Sequence, residues 1–173
     1  MSPLRLPRPA GLLPDMKRLV GTQDGMRRFL SVWPPYLAAR VRVDRITPDW
    51  RVAEVSMGLS PVNANYMGTQ FGGSLYSMSD PFWVLLLVHI LGPDYHVWDA
   101  AAEIRFVSPG RGRVHTRFEI TPELEAELRE AAASGEKVLR WVESEVRDER
   151  GELVATVRKQ LYVRLVREKR PAR

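Results

Sequence analysis

GGSLYSMSDPFWVLLLVHIL, residues 72–91, ends in the longest apolar run of the chain, Phe82 to Leu91, interrupted only by His89. Read as one helix, the stretch is 20 residues long, about 30 Å. In its second half Phe82, Trp83, Val84, Leu85, Leu86, Leu87 and Val88 leave no polar side. A helix apolar on every side is one covered on every side. His89, inside this run, reads as a core histidine. Gly92-Pro93-Asp94 stops the helix. Pro81 removes a backbone bond to Ser77 and crowds its carbonyl. Two readings of Asp80 are therefore open. It is a carboxylate with a chemical task, or it caps a helix that begins anew at Pro81.

Outward from this rod the chain reads as strands. Arg40 to Ile46 and Arg51 to Met57 form a hairpin around the turn chemistry of Thr47-Pro48-Asp49. Beyond the rod, Val97 to Val107 sets Ala100, Ala102, Ile104 and Phe106 on one face and Asp99, Glu103 and Arg105 on the other. Arg113 to Thr121 alternates in the same way. A short helix follows, with Thr121 as N-cap, Pro122 at its first position and Gly135 past its end. Val138 to Arg147 and Glu152 to Val166 make a second hairpin at Asp148–Gly151. In the last strand Leu153, Ala155, Val157, Leu161, Val163 and Leu165 share a face, with Arg158, Gln160 and Arg164 opposite. Upstream, Asp15 to Trp33 reads as a helix that Pro34-Pro35 end. Six half-apolar strands and one apolar helix predict an α+β fold, an antiparallel six-stranded sheet wrapped around a long central helix, with an extra N-terminal helix.

Length and composition agree with one core. The chain has 173 residues, 45% apolar and 27% charged, and no cysteine. That predicts a single domain over 13–166, between a flexible N-terminus (1–12) and a basic tail (167–173). Without cysteine there is no disulfide, iron–sulfur cluster or thiol nucleophile. The net charge is +5, concentrated near the ends: Arg158 to Arg173 holds seven Lys/Arg and one Glu. A basic end suits an anionic partner. No aromatic–basic RNA signature accompanies it, so nucleic acid is an unfavoured partner. The apolar run is short of the ~20 residues of a bilayer span, and the start lacks a signal-peptide core. A cytoplasmic protein with no membrane partner is expected. His89, His96 and His115 lack metal-ligand spacing, and the nucleotide-binding and nucleophile-elbow patterns all fail, so no metal or cofactor is expected.

The chemistry-bearing stretch is Asn63 to Pro81. A loop dense in Asn and Gly meets the start of the apolar rod, and a carboxylate follows two turns in. Free N–H groups at a helix start receive anions or a developing oxyanion. Asp80 on an apolar element is costly without a partner. This stretch resembles the hotdog-fold thioesterases, whose pattern is Asn-x-x-Gly-Thr-x-His-Gly-Gly with Asp or Glu seven residues later. Asn65, Gly68, Thr69, Gly72, Gly73 and Asp80 stand at those positions. The likeness is greatest to an uncharacterised acyl-CoA thioesterase-like branch with Gly-Thr-x-Phe-Gly-Gly-Ser-Leu-Tyr, Asp-Pro and Tyr-x-Val-Trp-Asp, here Tyr95 to Asp99.

The resemblance implies a hotdog fold and roles for these residues. The Gly72 and Gly73 amides polarise a thioester carbonyl. Asp80 acts as general base on water or as nucleophile, and Asn65 positions water or carbonyl. Gly68, Thr69 and Phe71 border the substrate, Phe71 replacing the pattern's histidine. Asp99 takes the place of a Ser or Thr common on the strand after the helix. Arg111 and Arg113 are candidates for the phosphates of coenzyme A on charge alone. Gly73 and Asp80, seven residues apart on one helix, are separated by ~10 Å. They cannot touch one carbonyl carbon, so a complete site takes glycines from one copy and the aspartate from another. That predicts a homodimer, and leaves open whether dimers pair into a homotetramer. Two other readings remain: a non-catalytic fatty-acyl or acyl-CoA binder on the same scaffold, and a nucleic-acid binder.

Overall fold

The computed structural model describes residues 20–169, with Arg167 described by its backbone alone. The expectations for residues 1–12, for the helical turns before residue 20 and for residues 170–173 lie outside that range. Two helices, α1 (Gln23–Val32) and α2 (Pro34–Ala39), lead into β1 (Val41–Ile46) and β2 (Val52–Met57). The central rod is α3 (Gly72–Ser77) followed by α4 (Phe82–Leu91). Then come β3 (Tyr95–Phe106), β4 (Val114–Glu119), α5 (Pro122–Ala132), β5 (Val138–Asp148) and β6 (Leu153–Leu165). A short 3-10 turn, Arg167–Lys169, follows β6.

The upstream helix differs from the expected single element. Gly21 stands in a turn, and Thr22 caps the helix by accepting from the Gly25 amide at 3.1 Å. The proline pair ends α1 and also starts α2, because proline without its N–H suits the first helical turn. Arg40, left-handed at φ 59°, closes α2 and turns the chain into β1.

All six strands form one antiparallel sheet in the order β1-β2-β4-β5-β6-β3. The inner face supplies Val55, Met57, Val114, Phe118, Val146, Val157 and Leu161, all buried, and α4 lies against β2, β3, β4 and β6. Phe82 stacks on Phe118 at 5.0 Å and Trp83 meets it edge-on at 5.7 Å. The hotdog architecture implied by the sequence is present. The rod, however, is broken at 78–81, and α4 is not covered all round. Phe82, Trp83, Leu86, Leu87 and Leu91 are buried, but Val88 is 44% exposed. His89 is exposed too, stacked on Trp50 at 3.5 Å, rather than in the core. The sheet covers one side of the helix and α5 another, and the Val88–His89 side is left over. Taken together, residues 72–91 are long and apolar enough for a membrane span. Here they form the rod, with Asp80 and Pro81 in the middle.

The two sheet edges differ. The β1 edge is screened by α1 and α2, with Ser31 Oγ accepting from the Val43 amide at 3.3 Å. The far edge of the 12-residue β3 has no strand partner within the described residues. Trp98, Phe106 and Val107 on or beside it are each more than half exposed. β3 also carries a bulge between Asp99 and Ala101. A bulge adds one residue and inverts the alternation beyond it. Tyr95, Val97 and Asp99 therefore face inward before the bulge, as do Ala102, Ile104 and Phe106 after it. This corrects the expected split, which set Asp99 on the face opposite Ala102, Ile104 and Phe106.

Candidate active site

The loop before α3 is closed by its own polar groups. Asn65 Oδ1 accepts from the Met67 and Thr69 amides at 2.9 and 3.0 Å. Its Nδ2 donates to Thr69 Oγ1 and to the Gln70 carbonyl at 2.9 and 3.2 Å. Both ends of the carboxamide thus hold the loop, and Gly68 takes the left-handed turn at φ 74°. Gln70 is buried and straps the loop to the sheet, with Nε2 donating to the carbonyls of Met57 and Gly112. Asn63, also buried, ties it to the carbonyls of Ala39 and Gly58. Neither strut was foreseen in the sequence.

At the start of α3 the Phe71 carbonyl accepts from the Ser74 and Leu75 amides. The amides of Gly72 and Gly73 have no acceptor among the hydrogen bonds of the described residues. Both glycines let an aromatic ring lie close to the backbone, and a side chain at either would make that ring shift. A Cβ on Gly72 would lie 2.8 Å from the Phe106 ring, and one on Gly73 would lie 2.6 Å from the Phe71 ring. A groove of about 450 Å³ runs past Gly73 between α2 and the loop, bordered by Ala38, Val62 and Phe71. A second, of about 410 Å³, runs past Gly72 beside Thr69, Phe106 and Pro109. Thr69 and Phe71 thus line the grooves at the glycine pair, while Gly68 serves the loop turn.

At the other end of α3 stands Asp80. It does not cap α4: Pro81 is the capping residue, with no side-chain cap bond. Its Oδ1 instead lies 2.6 Å from Lys159 Nζ, while the side chain stays 50% exposed. Asp99, turned inward by the bulge, approaches the same ammonium through Oδ2 at 2.8 Å. Tyr76 Oη is a third acceptor at 3.3 Å. Lys159 itself is fully buried. Burial alone would lower its pKa, but the two carboxylates outweigh that and hold it above the ordinary lysine value. Burial raises the Asp99 carboxyl, against the pull of Lys159 and with a like-charge push from Asp80. Asp99 Oδ1 is buried without a hydrogen-bond partner. Burial also raises the hydroxyls of Tyr76 and Tyr36, and Tyr36 donates to the Ser77 carbonyl at 3.1 Å.

The structure thus brings Asp80 and Asp99 together and keeps Asn65, Gly72 and Gly73 together at the other end of α3. Lys159 was not foreseen, although the alternation of β6 gives it the parity of its inward neighbours Val157 and Leu161. Arg111 and Arg113 border a groove of about 380 Å³ that meets the Gly72 groove at Ser108 and Pro109, and they share it with Asp148, Glu149, Arg150 and Glu152. Three acids there offset three arginines, and Arg113 Nη1 donates to Ser56 Oγ at 3.1 Å. Among the described residues no group of three His, Asp or Glu side chains could hold a metal ion.

The model of a family described as a domain of unknown function, DUF4442, matches residues 22–163. The chain belongs to that family. No curated protein matches this DUF4442 chain. Among solved structures it is similar to a Pseudomonas aeruginosa protein of unknown function described as a probable thioesterase. The identity is 19% over 81% of this chain and 93% of that one, with a TM-score of 0.69. A Haemophilus influenzae thioesterase is similar at 14% identity over 83% and 91%, with a TM-score of 0.60. A Staphylococcus aureus thioesterase, solved as a mutant, is similar at 11% over 75% and 97%, with a TM-score of 0.55. At these identities the likeness shows the hotdog fold alone.

Proposed function

We propose that this protein is an acyl-CoA thioesterase-like hydrolase that acts as a homodimer. The observation that carries the reading is the placement of Asp80. It leaves the adjacent helix uncapped, keeps a face to solvent and rests on a buried cation. A carboxylate needed only for folding would serve better as the cap.

Water attacks the thioester carbonyl carbon while Asp80 takes its proton. The carbonyl oxygen gathers charge against the Gly72 and Gly73 amides of the other copy. The C–S bond then breaks, the thiolate leaves, and the proton returns from Asp80 to solvent or sulfur. Preorganised donors at such an oxyanion are worth about 3–4 kcal/mol, and a general base adds ~10²–10⁴-fold. Counted at helical rise, seven residues put ~10 Å between Gly73 and Asp80, which supports a site shared between two copies. The β3 edge, without a strand partner among the described residues and with Trp98 and Phe106 exposed beside it, supports a second copy docking there. Asn65 supports the site by holding the loop, since its carboxamide is fully engaged there.

A panel of acyl-CoA esters of graded chain length tests this reading. Wild type should release free thiol, and Asp80→Asn should lower kcat by ~10²-fold or more with an unchanged circular dichroism spectrum. Turnover undiminished in Asp80→Asn would remove Asp80 from the chemistry. One observation favours the second reading, a non-catalytic acyl binder: the Phe71 ring lies over Gly73 where the family pattern has histidine. Tight acyl-CoA binding with no thiol release would select it.

A further inference from the structure

Among the described residues Lys159 is the one fully buried charged side chain. Its inner-face surroundings give no reason for a cation. Val142 on β5 and Ala102 on β3 lie opposite it in register, and Val157 and Leu161 flank it on β6. A methionine would fill this space without the desolvation of an ammonium, which costs several kcal/mol per ion. The chain nevertheless builds three acceptors around it. The β3 bulge turns Asp99 inward, the 78–81 break turns Asp80 toward the sheet, and α3 contributes Tyr76. Each of the three ammonium protons has an acceptor, at 2.6, 2.8 and 3.3 Å. The net charge of the cluster, with both carboxylates ionised, is negative by one. Only Asp80 among its charged members is half exposed.

We propose that Lys159 is a positioning residue for thioester hydrolysis, clamping Asp80 by one oxygen and supplying the counter-charge beneath it, with Asp99 as the anchor on its other side. The proposal rests on the reading of Asp80 as the base. The charged and titratable groups facing the clamp are Asp80 from the rod, Asp99 from β3 and Tyr76 from α3, with the Tyr36 hydroxyl from α2 beside the same turn. A clamp makes predictions that a space-filling lysine does not. Loss of the cation should move the acidic limb of the rate profile upward, and loss of the competing carboxylate should move it downward.

The experiment measures kcat, KM and pH profiles on acyl-CoA esters for Lys159→Met, Lys159→Cys and Asp99→Asn. Lys159→Met should lower kcat at pH 7 by ~10²-fold, keep KM within about threefold and move the acidic limb up. Lys159→Cys should behave alike. The chain has no cysteine of its own, so 2-bromoethylamine in denaturant, followed by refolding, restores an ammonium at this position alone. That product should recover at least about tenfold in kcat. Asp99→Asn keeps the lysine and should move the limb down, which guards against a Met variant that fails to fold. Limbs that stay in place in the folded variants would overturn the proposal.

A readout free of turnover separates the clamp from the reaction. The Asp99 carboxyl carbon, followed by NMR, should titrate at lower pH in Asp80→Asn, because a like charge is gone and Lys159 serves Asp99 alone. If that midpoint falls but wild type hydrolyses no thioester, the hydrolase reading fails and the clamp stands. If the midpoint does not move, the clamp fails whatever the turnover.

Discussion

The two ends of α3 are built on opposite plans. At its start the loop around Asn65 closes on itself: the partners of that side chain lie two to five residues away along the chain. At its end Asp80 finds its partner on β6, 79 residues on. The first plan is cheap in chain entropy, because short loops bring donors and acceptors together before the rest folds. The second exists only once β3 and β6 are paired and the rod is seated on them. One end is thus a rigid frame that depends on little else. The other is a charged cluster whose geometry reports the whole fold.

The largest stability effect should fall at the acidic end. Lys159→Met strands two carboxylates against an apolar face, Asp99 with one oxygen already unpartnered and buried. Removing one partner of a buried ion pair costs about 3–5 kcal/mol, a large share of the 5–15 kcal/mol of a typical domain. Asp80 being half exposed, the lower part of that range is expected in urea denaturation at pH 7. A loss under 1 kcal/mol would mean that the cluster is no more demanding than a surface ion pair.

At the loop end the expected loss is smaller. Asn65→Ala removes four hydrogen bonds at once, but the loop is partly exposed and water can replace some of them. About 1–3 kcal/mol is expected, with hydrogen exchange accelerating in residues 63–70 and not in β6. Accelerated exchange reaching β6 would show that the two ends are energetically one unit.

The same contrast explains what could be read in the residues beforehand. Asn65, the glycine pair and Asp80 were legible because a local motif carries them. The single sheet around an apolar rod was legible because period-2 and period-3.6 patterns are local too. The strand order was not, since moving β3 to the far edge beside β6 is decided by pairing across distant residues. Lys159 left a trace in the parity of β6, where 153, 155, 157, 161, 163 and 165 are apolar and 159 completes the series. A charge in an apolar register is a buried cation awaiting partners. Asp99 was named by resemblance, but its inward turn left no trace: the bulge falls among Ala100, Ala101 and Ala102, where one alanine more or less changes no pattern. The second helical start at Pro34 was missed because proline both ends and begins helices.

The smallest expected effect concerns pH, and it isolates Asp99 from the rest of the cluster. Burial holds the folded-state pKa of Asp99 above its ordinary value of 3.8. Between the unfolded and folded values the folded protein binds more protons than the unfolded one, so stability falls as pH rises. The stabilising contribution of the protonated group is complete below about pH 3.8 and is lost as pH climbs through the raised folded value. Lysine does not titrate in this window, and Asn at position 99 cannot. Wild type should therefore lose stability relative to Asp99→Asn from pH 3.5 toward neutrality, as read by urea midpoints at matched ionic strength. The opposite slope would mean that Lys159 dominates Asp99 as a salt-bridge partner and that burial is the lesser influence. Lys159 would then serve Asp99 first, and the contrast between a self-contained loop and a cluster organised around Asp80 would have to be redrawn around the carboxylate on β3.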